Sequence, residues 1–349
     1  MILFINVMSN ARVLFIVKER KVYGTKTTSY GLVNSCQFIV NVLNEHGIES
    51  KVVQVIDNNY IDKEVTDFKP THCFIEALWV VPEKFEVLSK LHPTVKWTVR
   101  LHSMIPFLVS EGMSFDWIDQ YEALRTEKGI NIYVSCNNNK LFSDLRCIYS
   151  SVEFAPNIYY PDKAPYSDDI KVEKGDNILN IGCFGALRIL KNHCQQAVWA
   201  IEFADKHKKK LNFHVNVSNY ETDETCPVLK NLRAIFKRTN HTLFEHMWLS
   251  HQDFITLVSQ MDFGMQISFT ETFNIVAADF VHTNVPVVVS TEIDFVNSLS
   301  TVNPSNRDSI LNAMNLVYGK KRDELVALNR DLLNSHNIFA KKIWLSHVK

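Results

Sequence analysis

Two carboxylates eight residues apart, Glu271 and Asp279, stand in the segment Ile267-Ser-Phe-Thr-Glu-Thr-Phe-Asn-Ile-Val-Ala-Ala-Asp279, which runs on to Val285-Pro-Val-Val-Val-Ser290. A buried strand is expected to end at Ser268, a short loop to carry Glu271, and a helix over Thr272–His282 to bring Asp279 onto the same side. Both carboxylates can then face one bound molecule. Because a helix start carries free amides and the positive end of the dipole, the backbone at Thr272, Phe273 and Asn274 is placed to meet a phosphate.

Upstream, Asn180-Ile-Gly-Cys-Phe-Gly-Ala-Leu-Arg-Ile-Leu-Lys-Asn192 reads as strand, tight turn and helix. Gly182 and Gly185 would let a ligand approach the backbone, and Arg188 and Lys191 supply two cations suited to a leaving diphosphate. The Gly-x-x-Gly spacing itself fits neither the dinucleotide nor the P-loop pattern. In the first half of the chain, Val17–Leu32 is basic and hydroxyl-rich, with Lys18, Arg20, Lys21 and Lys26 as candidates for contact with phosphate. Arg100-Leu-His-Ser103 ends one strand and Glu76 another, which makes Glu76 a candidate base. No Asp-x-Asp follows a strand: Asp168-Asp169 falls in a linker, and Asp116 and Asp119 in a helix. No catalytic metal is therefore expected, and cations and helix termini would stabilise the leaving phosphate in its place.

These residues need a scaffold, and the periodicity supplies one. Short β-branched and aromatic runs alternate with segments of helical period, twice over, as in a parallel sheet with helices on its faces. The first series of strands is expected at Arg12–Val17, Lys51–Ile56, His72–Leu78, Val95–His102 and Asn131–Ser135. The second is expected at Asn177–Cys183, Leu211–Val217, Thr242–Met247, Asp262–Ile267 and Pro286–Ser290. Helices are expected at Leu190–Lys206, Val228–Arg238 and His251–Gln260, the last capped at Ser250. Pro and Gly crowd the stretch between the two series. The expected domains are thus residues 1–155, a linker over 156–176, and residues 177–336, with an apolar helix over 337–349 returning to the first domain through Ile338, Phe339, Ile343, Trp344 and Val348. Doubly wound sheets bind ligands at the C-terminal ends of their strands.

Composition narrows the function further. The 349 residues include 37 basic and 38 acidic side chains, which argues against a large positive field for non-specific nucleic-acid binding. Seven scattered cysteines without a Cys-x-x-Cys pair form neither a disulfide framework nor a zinc site, and are expected as buried small hydrophobes in a reducing cytosol. Met1–Val17 is interrupted by Asn6, Asn10 and Arg12, lacks a basic start and is short of the roughly 20 residues that span a bilayer. A cytoplasmic protein is expected, with residues 1–7 a loose extension before Met8.

The Glu271…Asp279 segment, with its Glu-x-Phe start and its closing Val285-Pro286-Val287-Val288, resembles the Glu, seven residues, Glu signature of retaining GT-B glycosyltransferases of the family 4 type. Asn274 stands where Gly is usual, Asp279 replaces the second Glu, and Asn284 replaces a Gly. The resemblance implies a GT-B fold, two Rossmann-like doubly wound α/β domains facing a central cleft. It implies a hexosyl- or pentosyltransferase that uses a nucleoside-diphosphate sugar, UDP-sugar above all, with retention and no bound cofactor. It assigns Glu271 to hydroxyls of the donor sugar and Asp279 to the ribose. The Gly185…Arg188…Lys191 segment goes to the diphosphate, Met247 and Trp248 to the base, and His102 to the sugar. Trp248 could equally pack, and His246 and His251 are expected at the surface.

In its richness in Phe, Asn and Ile the chain resembles bacteriophage-encoded enzymes, some of which glycosylate hydroxymethylated bases in DNA. Lys206–Lys210 and Lys237-Arg238 could then join the first loop in contacting DNA phosphates, as such an acceptor would require. A cell-surface polysaccharide or lipid-linked sugar remains open as acceptor. So do a nucleotide-sugar-binding protein without transfer activity and a nucleotide-sugar epimerase. Oligomeric state is not legible.

Overall fold

A computed structural model describes residues 11–348 apart from 23–24, 28–29, 163–164, 168 and 219–220, and leaves the side chains of 20–22, 25–27, 30 and 111 undescribed. Residues 1–7, Asp168 and the side chains of Arg20, Lys21 and Lys26 therefore lie outside the described residues. The chain divides into two compact units, 1–161 with 337–349, and 162–336.

The first unit contains strands β1 (Arg12–Lys18), β2 (Arg20–Val22), β3 (Thr25–Thr27), β4 (Glu49–Val55), β5 (His72–Glu76), β6 (Lys96–Leu101), β7 (Ile132–Cys136) and β8 (Glu153–Phe154). Its helices are α1 (Tyr30–Glu45), α2 (Ile61–Phe68), α3 (Pro82–Leu91), α4 (Ile105–Leu108), α5 (Ser114–Thr126) and α6 (Asn139–Arg146). Six of the strands form one parallel sheet in the order β4-β1-β5-β6-β7-β8, and β2 and β3 make an antiparallel hairpin. The central strands are apolar on both faces because helices cover both. Leu14, Ile16 and Ile75 face one side, and Val13, Phe15 and Phe74 the other.

The second unit repeats the plan. Its strands are β9 (Ile178–Gly182), β10 (Lys210–Val217), β11 (Thr242–Met247), β12 (Phe263–Gln266), β13 (Val287–Ser290) and β14 (Thr301–Val302), paired in parallel in the order β11-β10-β9-β12-β13-β14. Around them lie α7 (His193–Lys206), α8 (Pro227–Phe236), α9 (His251–Val258), α10 (Ile275–His282) and α11 (Arg307–Tyr318). Helix α12 (Arg322–His347) begins in the second unit, and its last residues belong to the first.

Residues 156–161 go with the first unit, where Ile158 and Tyr159 are buried. The stretch from 162 goes with the second, tied to α9 by Ser167 N–H on Thr256 Oγ1 at 3.0 Å and to Gln260 by Val172 N–H at 2.8 Å. The end of α12 packs through Ala340, Trp344 and Val348, which are fully buried. Trp344 lies 5.0 Å from the ring of Phe74, and its indole N–H donates to Pro156 O at 2.7 Å. Ile338 and Phe339, expected as buried anchors, are more than half exposed. The i, i+4, i+8 stripe that faces the sheet, Ala340, Trp344 and Val348, leaves both of them out. The cysteines also depart from expectation, since Cys147 is exposed and Cys194 half-buried. Among the described residues no helix is long and apolar enough to cross a membrane.

Candidate active site

Phe280 of α10 lies directly on the backbones of β9 and β12. A Cβ on Gly182 would meet Phe184 at 2.5 Å and Phe280 at 2.8 Å, and one on Gly264 would meet Phe280 at 2.5 Å. Gly182 therefore serves this close helix-to-sheet approach and not a ligand, a correction to its sequence reading. Gly185 is different: its φ of +106° suits only glycine, a Cβ there would touch nothing nearer than Val276 at 3.9 Å, and its N–H donates to Asn216 Oδ1 at 3.0 Å.

Two loops at the C-terminal ends of β9 and β12 are stitched together. Phe269 N–H donates to Leu190 O at 2.9 Å, and Asn192 Nδ2 to Ile267 O at 3.3 Å. Gln196 bridges them, accepting from Ile267 N–H at 2.8 Å and donating to Lys191 O at 2.8 Å. The seam brings Lys191 onto Glu271 Oε2 as an ion pair. Asn274 donates to the same oxygen at 3.1 Å and to Gln266 Oε1 at 2.9 Å, while its Oδ1 caps α10 by accepting from Ala277 N–H at 2.8 Å. The residue that replaces the usual Gly is thus the joint between carboxylate and helix. Glu271, expected in an exposed loop, keeps only 10% of its side chain exposed.

The cap also moves the helix start from Thr272 to Ile275, so Thr272 and Phe273 lead into the helix and are not in its first turn. The Phe273 ring packs on Phe295 at 4.9 Å. Arg188 sits exposed, just before the 3-10 turn Ile189–Lys191 that precedes α7. Inside the seam, His193 is buried with neither ring nitrogen partnered among the described residues, and burial lowers its pKa to about 3. The hydroxyls of Ser268 and Thr270 are likewise buried without partners among the described residues. Buried polar groups are ordinarily satisfied, and no sequence motif singled these three out.

Asp279, on the next turns of α10, is buried and bonded to His251 Nε2 at 2.8 Å. His251 was expected at the surface as an incidental residue; it is this carboxylate's partner. Burial alone would lower its pKa from 6.5, but the hydrogen bond and charge of Asp279, with Asp162 adding, outweigh that and the net shift is upward. A histidine raised on folding contributes stability that is complete below 6.5 and fades as the pH rises through the folded value. His251→Gln should therefore flatten the fall of the melting temperature across neutral pH, read by calorimetry from pH 5.5 to 8.5. An unchanged profile would remove the pair as its cause.

Met247 ends β11 and is exposed, and Trp248 beyond it is half-buried. His246 is no loose surface group: its ring stacks on His214 at 5.1 Å, and its Nε2 bonds His214 Nδ1 at 2.8 Å. His214 in turn meets Asn180 Oδ1 at 3.1 Å, and burial, helped by His246 and Lys174, lowers its pKa to about 3. Ser250 caps α9 as expected, accepting from Asp253 N–H at 3.2 Å.

In the first unit, Glu76 and Arg100 are fully buried and paired at 3.0 Å. Burial would raise the pKa of Glu76, but Arg100 and His102 together lower it, so it is held as a carboxylate. Enclosed and neutralised, it does not stand as an open base. His102 bonds Glu76 through Nε2 and Asn137 Nδ2 through Nδ1 at 3.3 Å, so both ring nitrogens are engaged within the unit. Burial lowers its pKa, which keeps the ring neutral. Of the basic residues considered for DNA, Lys206 pairs with Glu202 at 2.8 Å and Lys209 donates to Asp176 O. Among the described residues no cluster of three or more His, Cys, Asp or Glu could hold a metal ion.

No protein-family model and no curated protein matches the sequence. Solved structures do match its fold. One is a trehalose-6-phosphate synthase, with TM-score 0.69 and 11% identity over 96% of this chain and 98% of that one. Another is a sucrose-phosphate synthase from Thermosynechococcus elongatus, at 0.66 and 11% over 97% of each. A third is HepE from Anabaena, solved in complex with UDP and glucose, at 0.60 and 12% over 96% and 95%. At such identities the likeness speaks for the fold, and the two parallel six-stranded sheets with flanking helices are the two Rossmann-like domains of GT-B.

Proposed function

We propose that the chain is a retaining glycosyltransferase that needs no metal and draws its sugar from a nucleoside diphosphate, UDP in the first instance. The observation that carries this reading is the seam of the second unit. A cation, a carboxylate and a helix start meet at the C-terminal ends of parallel strands, beside a glycine with an open backbone, where this architecture binds ligands. Arg188 and Lys191 meet the diphosphate, with the start of α10 adding its dipole. Glu271 holds hydroxyls of the sugar, Asp279 with His251 behind it takes the ribose, and Met247 and Trp248 flank the base. The acceptor oxygen bonds to the anomeric carbon as the bond to the diphosphate breaks, and the departing phosphate oxygen takes the acceptor's proton on the same face. UDP and glucose in the structure of HepE support the choice of nucleotide.

The test is direct. UDP affinity by calorimetry should fall at least about tenfold in the variant Arg188→Ala with Lys191→Ala, since hydrogen bonds to charged groups are worth about 1.5–3 kcal/mol each. UDP release from a UDP-sugar should survive EDTA, and NMR of the first product should show the donor's anomeric configuration. Unchanged affinity would refute the site, and an inverted product the mechanism. Binding without UDP release in the presence of hydroxymethylated DNA, polysaccharide, lipid-linked or small acceptors would leave a nucleotide-sugar-binding protein. A changed sugar without acceptor would mean an epimerase.

A further inference from the structure

The opposite edge of the second sheet, at the N-terminal ends of its strands, carries a row of cations. Three helices that share one core, α7, α8 and α11, run to this edge, and each is followed or closed by a basic run. The runs are Lys206-His-Lys-Lys-Lys210, Lys237-Arg238-Thr-Asn-His241 and Lys320-Lys-Arg322, nine Lys and Arg with no acidic residue among them. Two histidines pin them together. His207 bonds Asn315 Oδ1 at 3.0 Å and lies 5.5 Å from the Tyr318 ring, while His241 accepts from Leu211 N–H at 3.0 Å and bonds Asp205 Oδ1 at 3.2 Å. Arg322 donates to Asp262 O at 2.5 Å, just before β12. The row thus follows the starts of β11, β10, β9 and β12, about 15 Å at about 4.8 Å from strand to strand.

Three of the nine are engaged: Lys206 with Glu202 at 2.8 Å, Lys209 with Asp176 O and Arg322 with Asp262 O. Lys208, Lys210, Lys237, Arg238, Lys320 and Lys321 are exposed and form no ion pair among the described residues. A helix C-terminus favours cations through its dipole, but the dipole alone does not account for the row. Helices α9 and α10, outside that core, end at the same edge in Ser259-Gln260 and Thr283-Asn284, without Lys or Arg. The balance of charge over the whole chain therefore hides a local excess, only partly offset by Asp205 and by Asp323 and Glu324 at the start of α12.

We infer that this edge is a docking surface for a duplex nucleic acid, held by its phosphodiester backbone. Exposed cations without internal partners are the groups that displace condensed counterions from phosphates. A bilayer surface calls for an apolar face beside the charge, and among the described residues no large apolar side chain is exposed from 199 to 246 or from 300 to 327. Single strands are held on aromatic platforms where bases stack, and the three runs contain no Phe, Tyr or Trp. The surface is not an acceptor site, because strands of up to eight residues, at about 3.3 Å each, separate it from Lys191 and Glu271 at the other edge. It holds the protein on a nucleic acid whatever reaction that other edge performs, so it does not rest on the glycosyltransferase reading.

The full chain is titrated into a fluorescein-labelled duplex DNA of mixed sequence and unmodified bases, about 20 base pairs long, with anisotropy read from about 50 to about 200 mM salt. Log K should fall against log salt with a slope of about −3 to −5, as for about four to six phosphate contacts at about −0.9 each. Duplex RNA of the same sequence should bind within a few-fold, since only the backbone is read. Lys208→Gln, Lys210→Gln, Lys320→Gln and Lys321→Gln together should weaken binding at least about tenfold at the lower salt and flatten the slope by about 3. The four corresponding Arg replacements should stay within a few-fold. All four side chains are exposed, so the melting temperature should not move. Lys63→Gln, Lys69→Gln, Lys90→Gln and Lys128→Gln, exposed on the first unit, remove the same charge elsewhere and should leave binding within a few-fold. Absence of binding at the lower salt, a slope shallower than about −1, indifference to the four changes in the row, or an equal loss in the first-unit variant would each overturn the inference. So would a tenfold preference between DNA and RNA, or phosphatidylglycerol vesicles or polyglutamate holding the chain as tightly as the duplex does.

Discussion

Glu271→Gln is expected to cut sugar transfer about a hundredfold or more, and also to lower stability by about 1–3 kcal/mol. The first effect follows from losing a charged acceptor for sugar hydroxyls, where hydrogen bonds to charged groups are worth about 1.5–3 kcal/mol each. The second follows from the geometry. Glu271 and Lys191 are 10% and 20% exposed, so neutralising one strands the other in a place where water compensates poorly. A fall in stability alone thus cannot distinguish a catalytic carboxylate from a helix-entry residue held by Asn274.

The double variant Glu271→Gln with Lys191→Met makes that distinction. Removing both partners leaves no stranded charge, so the melting temperature should return toward that of the wild type. Transfer should stay lost, because the sugar contact and a diphosphate contact are both gone. Should the double variant regain turnover along with stability, the pair would be a structural clasp and the assignment of Glu271 to the sugar would fall.

How much of this was legible in the sequence depends on what kind of residue carried it. Buried parallel strands are apolar on both faces, and for that reason Arg12–Lys18 and Val287–Ser290 came within one residue of their expected bounds; the half-exposed edge strand Thr242–Met247 also matched its bounds. Helix starts shifted where one residue decided them: the Asn274 side chain caps at its own position and delays α10 to Ile275, and the left-handed backbone of Asn192 at φ 62° breaks the run and delays α7 to His193. The hairpin of β2 and β3 and the short edge strands β8 and β14 are too brief to show a period.

The site divides in the same way. Lys191 and Glu271, 80 positions apart, were both identified as site residues because each sits in a recognisable segment. Their pairing with one another was not foreseen, nor was that of His251 with Asp279, 28 positions apart, or of Glu76 with Arg100, 24 apart. No local spacing encodes contacts made by strand order. Gly182 misled for a related reason: a glycine required by Phe280 across the sheet looks, in sequence, like one required by a ligand.

The largest stability effect is expected at Arg100, which nothing in the sequence marks as structural. Its side chain is fully buried, and it donates to Glu76 at 3.0 Å, to Ala155 O at 2.8 Å and to the Asn157 side chain, while its guanidinium lies 5.4 Å from the Trp344 ring. One cation thereby holds β5, β6, the 155–157 segment and the end of α12. Arg100→Met should destabilise the first unit by about 3–5 kcal/mol, since it leaves Glu76 as an uncompensated charge in the interior.

The sign with pH follows. Glu76 is depressed by its partners, so its contribution is present above the ordinary carboxylate value of 4.5 and is lost as the pH falls through the folded value. Without Arg100 that depression weakens, and the variant should be least impaired in acid, where Glu76 can take up a proton. Adding Glu76→Gln to Arg100→Met should recover part of the loss at pH 7 and little at pH 4, measured as urea midpoints. If Arg100→Met proved as destabilised at pH 4 as at pH 7, and Glu76→Gln gave nothing back, the cost would lie in the contacts to 155–157 and Trp344, and not in a stranded carboxylate.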